Sequence, residues 1–269
     1  MTPASPSLVS TLPGLRAFWT FQEPAGDPRL ALGPQPSPLR ECGAPVPRAD
    51  EGVFGPHSAD LAAGRWLTCP PAECPALNLH GPAAQVSVVA WIKPRRQDPP
   101  WCDFIAGLWD ERAMRRQYGL FLGLGLSGVK SNRQVCGHVS ATGGHSVGLK
   151  HCDDASSGST PVLDDVWSLV AMTYDGTAIR SYLNDHLDPH PQRSPYPYSA
   201  GIHCGGDAGA SAFTVGAVSL PDFRLGHPRF DPVTTMGNTF AGLIGGLAVF
   251  DRALADTELR TLHQRTLAS

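Results

Sequence analysis

The chain has 269 residues, 42% apolar and only 17% charged, so it holds enough material for a sizeable buried core and is not of disordered composition. Its formal charge is −3, from 21 basic and 24 acidic side chains without a long run of one sign. That excludes a nucleic-acid binder of the usual kind, which concentrates Lys and Arg on one face, and no stretch is apolar for long enough to span a membrane as a helix. The 29 glycines and 26 prolines, spread along the whole length, suit many short strands joined by turns and disfavour long helices.

The first 15 residues lack the basic start and apolar stretch of a secretory signal, and no Asn-x-Ser/Thr sequon occurs. As it stands the sequence predicts a cytoplasmic protein; a chain trimmed from a longer one would be secreted. The seven cysteines, at 42, 69, 74, 102, 136, 152 and 204, are an odd number in a chain long enough to need no staples. They are expected to be free thiols, and the one local bridge the pattern allows is Cys136–Cys152.

In chain order, LRAFWTF (15–21) reads as a first strand that stops at Gln22-Glu23-Pro24. Residues 25–60 are rich in Pro and Gly and predict surface loops. A short strand over 65–68 precedes the turn CPPAEC. QVSVVAWIK (85–93) is the clearest strand: Val86, Val88, Ala90 and Ile92 share one face, and Val89 and Trp91 keep the other partly apolar. Apolar residues on both faces predict a central strand, covered on one side and lining a groove on the other. Strands follow at 104–109 and 118–124, separated by the charged loop 110–116. A hairpin-like pair is expected at 135–140 and 146–150, around Ala141-Thr142-Gly143-Gly144. Asp175-Gly176-Thr177 predicts a tight turn between strands 166–174 and 178–184. After a proline-rich loop, Pro189 to Pro197, strands 213–217 and 243–250 complete the series. Residues 256–267 carry the one good helical pattern, with Leu259 and Leu262 on one face. No repeat or linker divides the chain, so a single domain over 1–269 is expected.

Three groups of residues suggest chemistry. Gly123, Gly125 and Gly128 match the spacing GxGxxG, but VKSNRQVCGHV follows where a phosphate-binding helix would have to begin. Glycines at a strand end and bend account for them better. His138, His145, His151, Cys152, Asp153 and Asp154 form one cluster in sequence, and Asp185, His186, Asp188 and His190 another. Neither has HExxH spacing or a paired CxxC, so hydrogen-bonded or surface histidines are the plain reading and an acid–base role in a groove the sharper one. Asp110 and Glu111 are adjacent, so on a strand they would face opposite ways, and no alternating carboxylate run suits glycoside hydrolysis. There is no GxSxG.

The succession AFWTFQE, VSVVAWIKP, YGLFLGLG, VWSLVAMTYDGTAIRSYLND, FTVGA and FAGLIGGLAVFDRALADTELRTL resembles the concanavalin A-like, laminin-G-like jelly-roll domains. Most specific are the strand–Asp-Gly–strand hairpin ending in Tyr182 and Asn184, and the closing GLAVFDRAL before a short helix. The resemblance covers about 15–265. It implies an all-β fold: two antiparallel sheets packed as a β-sandwich, one of them concave, with a short C-terminal helix. It also implies a structural calcium in the loop after the first strand, where Glu23-Pro-Ala-Gly-Asp27-Pro-Arg leaves only Asp27 as a fitting ligand. The family's usual Ser cap of the last helix is replaced by Ala255, so Asp256 would have to serve.

The fold alone does not select a function. The first reading is a carbohydrate-binding, lectin-like protein holding an oligo- or polysaccharide on its concave sheet and rim. Trp109, Arg116, Tyr118, His138 and Tyr182 would supply aromatic faces and forked polar groups. The second is a polysaccharide-active enzyme, a lyase on a uronic-acid polymer above a glycoside hydrolase, drawing on Arg116, Tyr118, His138, His145, Arg180 and Tyr182. The third is a structural or protein-interaction domain without a small ligand. Convergence of Arg116, Tyr118, His138 and Tyr182 in one groove would favour the enzyme, and dispersal a binding or scaffold role. His138 is expected to point into the concave surface with Arg116 at its rim.

Overall fold

The computed structural model describes residues 2–98, 101–130, 133–149, 153–206, 209–222, 226 and 229–268. Within them, the clearest sequence strand, Val86–Pro94, is central to a nine-stranded antiparallel sheet. It pairs with Ser168–Tyr174 on one side and Gly242–Phe250 on the other. Ala178–Leu183 and His186–Leu187 extend one flank, Ser58–Leu61 and Arg48–Ala49 the other, while Leu15–Trp19 pairs with Gly242–Phe250 and Tyr196–Pro197 with Ala178–Leu183. The second sheet has seven strands, in the order Ala155–Pro161, Gln134–Val139, Tyr118–Leu122, Asp103–Leu108, Phe213–Val215, Arg65–Cys69 and Arg40–Gly43. Strand alternation fills the space between the sheets: Val86, Val88, Ala90 and Ile92 meet Tyr118, Leu120, Leu122, Val135 and Val139 in one apolar core. The fold is the all-β sandwich that the strand series implies, with a C-terminal helix.

Local chemistry explains the hairpin at 174–178. Gly176 has φ +89°, and Asp175 Oδ1 accepts from the Thr177 and Ala178 N–H groups. At the far end of that hairpin, Asn184 adopts φ +58° and its Oδ1 accepts from the Leu169 N–H at 3.1 Å, so the family-like Tyr-x-Asn ending closes the ladder.

Two sequence readings are corrected. Residues 25–60 are not all loop: Arg40–Gly43, Arg48–Ala49 and Ser58–Leu61 are short strands toward the sheet edges, set by pairing with their neighbours rather than by an apolar pattern of their own. Residues 146–149 form a turn, and Gln134–Val139 pairs instead with the serine-rich Ala155–Pro161. That strand buries hydroxyls rather than hydrocarbon: Ser156 Oγ lies 2.9 Å from Ser181 Oγ and donates to the Gly137 carbonyl. Periodicity could not find it. Lys150, His151 and Cys152 lie outside the described residues, so the Cys136–Cys152 bridge does too; the described cysteines are free thiols.

The outer face of the nine-stranded sheet is also covered, not an open groove. Val89 and Trp91 sit there beneath the C-terminal helix Asp256–Thr266, whose Leu259 and Leu262 pack on them. Trp91 Nε1 donates to Thr266 Oγ1 at 2.8 Å. The helix is capped from Glu258 rather than Asp256: Glu258 Oε2 accepts from the Ala255 N–H at 2.9 Å, and Arg252 holds the same carboxylate in a two-pronged pair. Asp256 instead accepts from the Tyr182 hydroxyl at 2.7 Å. Replacing Glu258 by Ala is therefore expected to cost about 1 kcal/mol and to speed amide exchange in the first helical turn. An unchanged urea midpoint would overturn this account of the cap.

Candidate functional site

The outward-facing residues of the seven-stranded sheet form a second layer. Phe104, Phe121 and Cys136 alternate with the core residues of their strands and pack with Trp109. Described residues that follow Val215 lie over them: Val218, Leu220 and Phe230 close the apolar part, and Val218–Ser219 pairs with Met236–Gly237. This cover leaves most of the face without solvent access.

At one end of the layer is a buried polar network. His138 points to the outer face, as its alternation with Val139 dictates, but it is only 1% exposed. Its Nε2 lies 2.8 Å from Asp154 Oδ1, and Asp154 Oδ2 accepts from the N–H and hydroxyl of Ser146. The Trp109 ring packs 4.6 Å from the imidazole, and Trp109 Nε1 donates to Glu111 Oε1 at 3.2 Å. Arg116 completes the network, 3.2 Å from Glu111 Oε2 and over the Trp109 ring. Burial pushes the His138 pKa down, and the Asp154 carboxylate beside it opposes this only in part. Burial alone would raise Asp154; its bonds to His138 and Ser146 outweigh that and hold it well below the usual carboxylate range. The pair is a neutral imidazole donating to a carboxylate, sealed from substrate.

The structure thus brings Trp109, Arg116 and His138 together and disperses the rest. Arg116 is buried rather than at a rim. Tyr118 is in the core between the sheets, its hydroxyl donating to the Leu77 carbonyl at 2.7 Å. Tyr182 is on the other sheet, under the C-terminal helix. Arg180 pairs with Asp175 at 2.6 Å, and His145 is exposed in the 141–149 loop. Neither candidate tyrosine, Tyr118 or Tyr182, therefore shares the surroundings of His138.

Asp27 is exposed, but its loop already contains a cation. The buried Arg29 guanidinium donates to the Pro24 and Asp27 carbonyls, to Glu41 Oε1 at 2.6 Å and to the Val46 carbonyl. Glu41 in turn accepts from the Gly26 and Val46 N–H groups. A calcium ion needs several oxygens turned towards it, and here the guanidinium takes them. The residues present do not fit a calcium site in this loop.

Among the described residues, the outer face is open beside its sixth strand. Beside strand Arg65–Cys69, a pocket of about 140 Å³ lies between that strand and residues 229–239. Its walls include Trp66, Arg229, Phe230, Asp231, Thr234 and Thr239. Trp66 reaches it because its neighbours Leu67 and Cys69 face the core. Arg229 pairs with the buried Asp103, which Arg133 also contacts at 3.3 Å. Burial lifts the Asp103 carboxyl to about 6 against the pull of these two guanidiniums. Asp231 accepts from the Val233 N–H and the Thr234 hydroxyl, which hold its carboxyl below the usual range. The Thr239 hydroxyl is buried and has no protein partner. Sequence reasoning missed this pocket. Trp66 in RWLTC alternates with apolar neighbours, a usable signal, but residues 229–239 have no periodicity that would have placed them opposite it.

The model of the concanavalin A-like lectin/glucanases superfamily matches residues 71–225. No curated protein matches the chain. Among solved structures, it is similar to domain 4 of AbnA, a GH43 extracellular arabinanase from Geobacillus stearothermophilus, in complex with arabinotriose. Identity is 16% and the TM-score 0.53, over 93% of this chain and 98% of that one. Botulinum neurotoxin type C, described as depending on two ganglioside molecules to get into cells, matches at 12% identity and TM-score 0.58 over 93% of this chain. The binding domain of Paraclostridial Mosquitocidal Protein 1 matches at 12% and 0.57, also over 93%. The chain spans 51% and 52% of those two toxin chains. At such identities the likeness establishes the shared fold.

Proposed function

The chain belongs to the concanavalin A-like lectin/glucanases superfamily, and from this we infer that it is a carbohydrate-binding protein. The observation that carries the reading is the open pocket at Trp66, where an aromatic side chain, a carboxylate and threonine hydroxyls meet on the outer face of the seven-stranded sheet. Sugars are held by that combination: apolar ring faces against an aromatic surface, hydroxyls against polar groups in fixed positions. The saccharide complex of the arabinanase domain and the ganglioside dependence of the neurotoxin support the reading by likeness. The buried Trp109–Arg116–His138 network supports the sheet from which the pocket is built.

Titration with arabinotriose and a panel of neutral and acidic oligosaccharides, read by tryptophan fluorescence and calorimetry, tests it. At least one glycan is expected to bind, and Trp66→Ala to weaken it tenfold or more. Trp66→Leu, which keeps apolar volume at a site only 9% exposed, guards against loss through misfolding. If no glycan binds the unaltered protein at millimolar concentration, the reading is wrong.

A further inference from the structure

The charges around the pocket differ in how far they are committed. Among the described residues of its walls Arg229 is the basic one, and its side chain is 7% exposed and tied to Asp103, itself buried and without solvent to replace that contact. Turning the guanidinium to a ligand would leave a buried carboxylate short of a partner, a loss a weak surface ligand cannot offset. Asp231 is different. It is half-buried, and each of its oxygens already accepts one hydrogen bond, yet a carboxylate oxygen has room for another. A ligand in the pocket therefore meets a negative charge that accepts hydrogen bonds and a positive charge already neutralised.

The remaining polar walls select in the same direction. Thr239 is 5% exposed and its buried hydroxyl is unpartnered, and a buried hydroxyl left alone costs free energy that a ligand hydroxyl would recover. Trp66 and Phe230 offer apolar surface for a ring face. At about 140 Å³ the pocket is smaller than the roughly 300–1,000 Å³ of sites that engulf a drug-sized ligand, so it has room for one ring and not for a chain.

Resting on the carbohydrate-binding reading, we propose that this pocket takes a single neutral sugar residue, with Asp231 accepting from its hydroxyls, and discriminates against uronic and sialic acids. A carboxylated sugar would bring its charge against Asp231, and among the described residues that line the pocket the one guanidinium, Arg229, is already committed to Asp103. The proposal separates this chain from the polyuronate lyase that the sequence also allowed, since such an enzyme needs a cation for the substrate carboxylate.

Matched pairs test it: galactose against galacturonic acid and glucose against glucuronic acid, with arabinose added, followed by saturation-transfer NMR and calorimetry at pH 7. A neutral sugar is expected to bind, and its acid counterpart at least tenfold more weakly. Asp231→Asn keeps an acceptor for the turn at residues 231–234 and should narrow that gap to threefold or less. Thr239→Val should weaken the neutral sugar severalfold. Equal or tighter binding of the acids, or neutral binding unmoved by both variants, overturns the proposal while leaving carbohydrate binding intact. Absence of binding by every sugar and oligosaccharide overturns both.

Discussion

Replacing Arg29 by methionine is expected to lower the melting temperature by roughly 10 °C, the largest single effect we anticipate outside the core. The guanidinium links four acceptors from residues 24–46, and its removal leaves the Glu41 side chain, 13% exposed, without its ion partner. Breaking a buried pair from one side costs about 3–5 kcal/mol, and each kcal/mol moves the Tm of a domain near this size by about 2–4 °C. Burial opposes the charge on Glu41, but the Gly26 and Val46 N–H groups and Arg29 together hold its carboxyl below the usual range; without Arg29 much of that support is gone. The double variant Arg29→Met/Glu41→Leu should recover part of the loss, because no uncompensated charge remains. A chelator should leave the Tm of the unaltered protein where it was, since the cation in this loop is covalently attached. A calcium-dependent rise of several degrees, or an Arg29→Met variant as stable as its parent, would show that the guanidinium does not have this role.

His138→Ala is the second large effect, and it reverses what an exposed groove histidine would do. The imidazole is sealed between Asp154 and the Trp109 ring, so its loss removes a hydrogen bond to a charged group and opens a cavity. About 2–3 kcal/mol is expected. The pH dependence identifies the cause. Because the folded-state pKa of His138 lies below its ordinary value, the neutral form's contribution is complete above about pH 6.5 and is lost as pH falls from there towards the lowered folded value. Asp154, also lowered, adds a further loss in the more acid range below about pH 4. Urea midpoints at pH 7.5 and 5.5 should therefore differ more for the parent than for His138→Ala. Parallel shifts in the two proteins would mean that another group titrates in this window.

The sequence alone determined the sandwich, because the fold depends on local chemistry that one strand or turn carries within itself. The alternation in 85–93, the Asp-Gly turn at 175–176 and the helical spacing of Leu259 and Leu262 each specify an element and its buried face. Only the tertiary structure decided what lies on the outer faces. Alternation correctly turned His138 away from the core, yet it cannot say that Val218, Leu220 and Phe230 lie over that side of the sheet, or that Asp154 waits there as its partner. Tyr118 was undecidable from YGLFLGL, since Leu120 and Leu122 on one side and Phe121 on the other each suited a core; register with 103–108 and 134–139 turned it inward. The Trp66 pocket joins residues 63–66 to 229–239, more than 160 positions apart. No periodicity reports such a contact, because loops are placed by the sheets they cross and not by a pattern of their own.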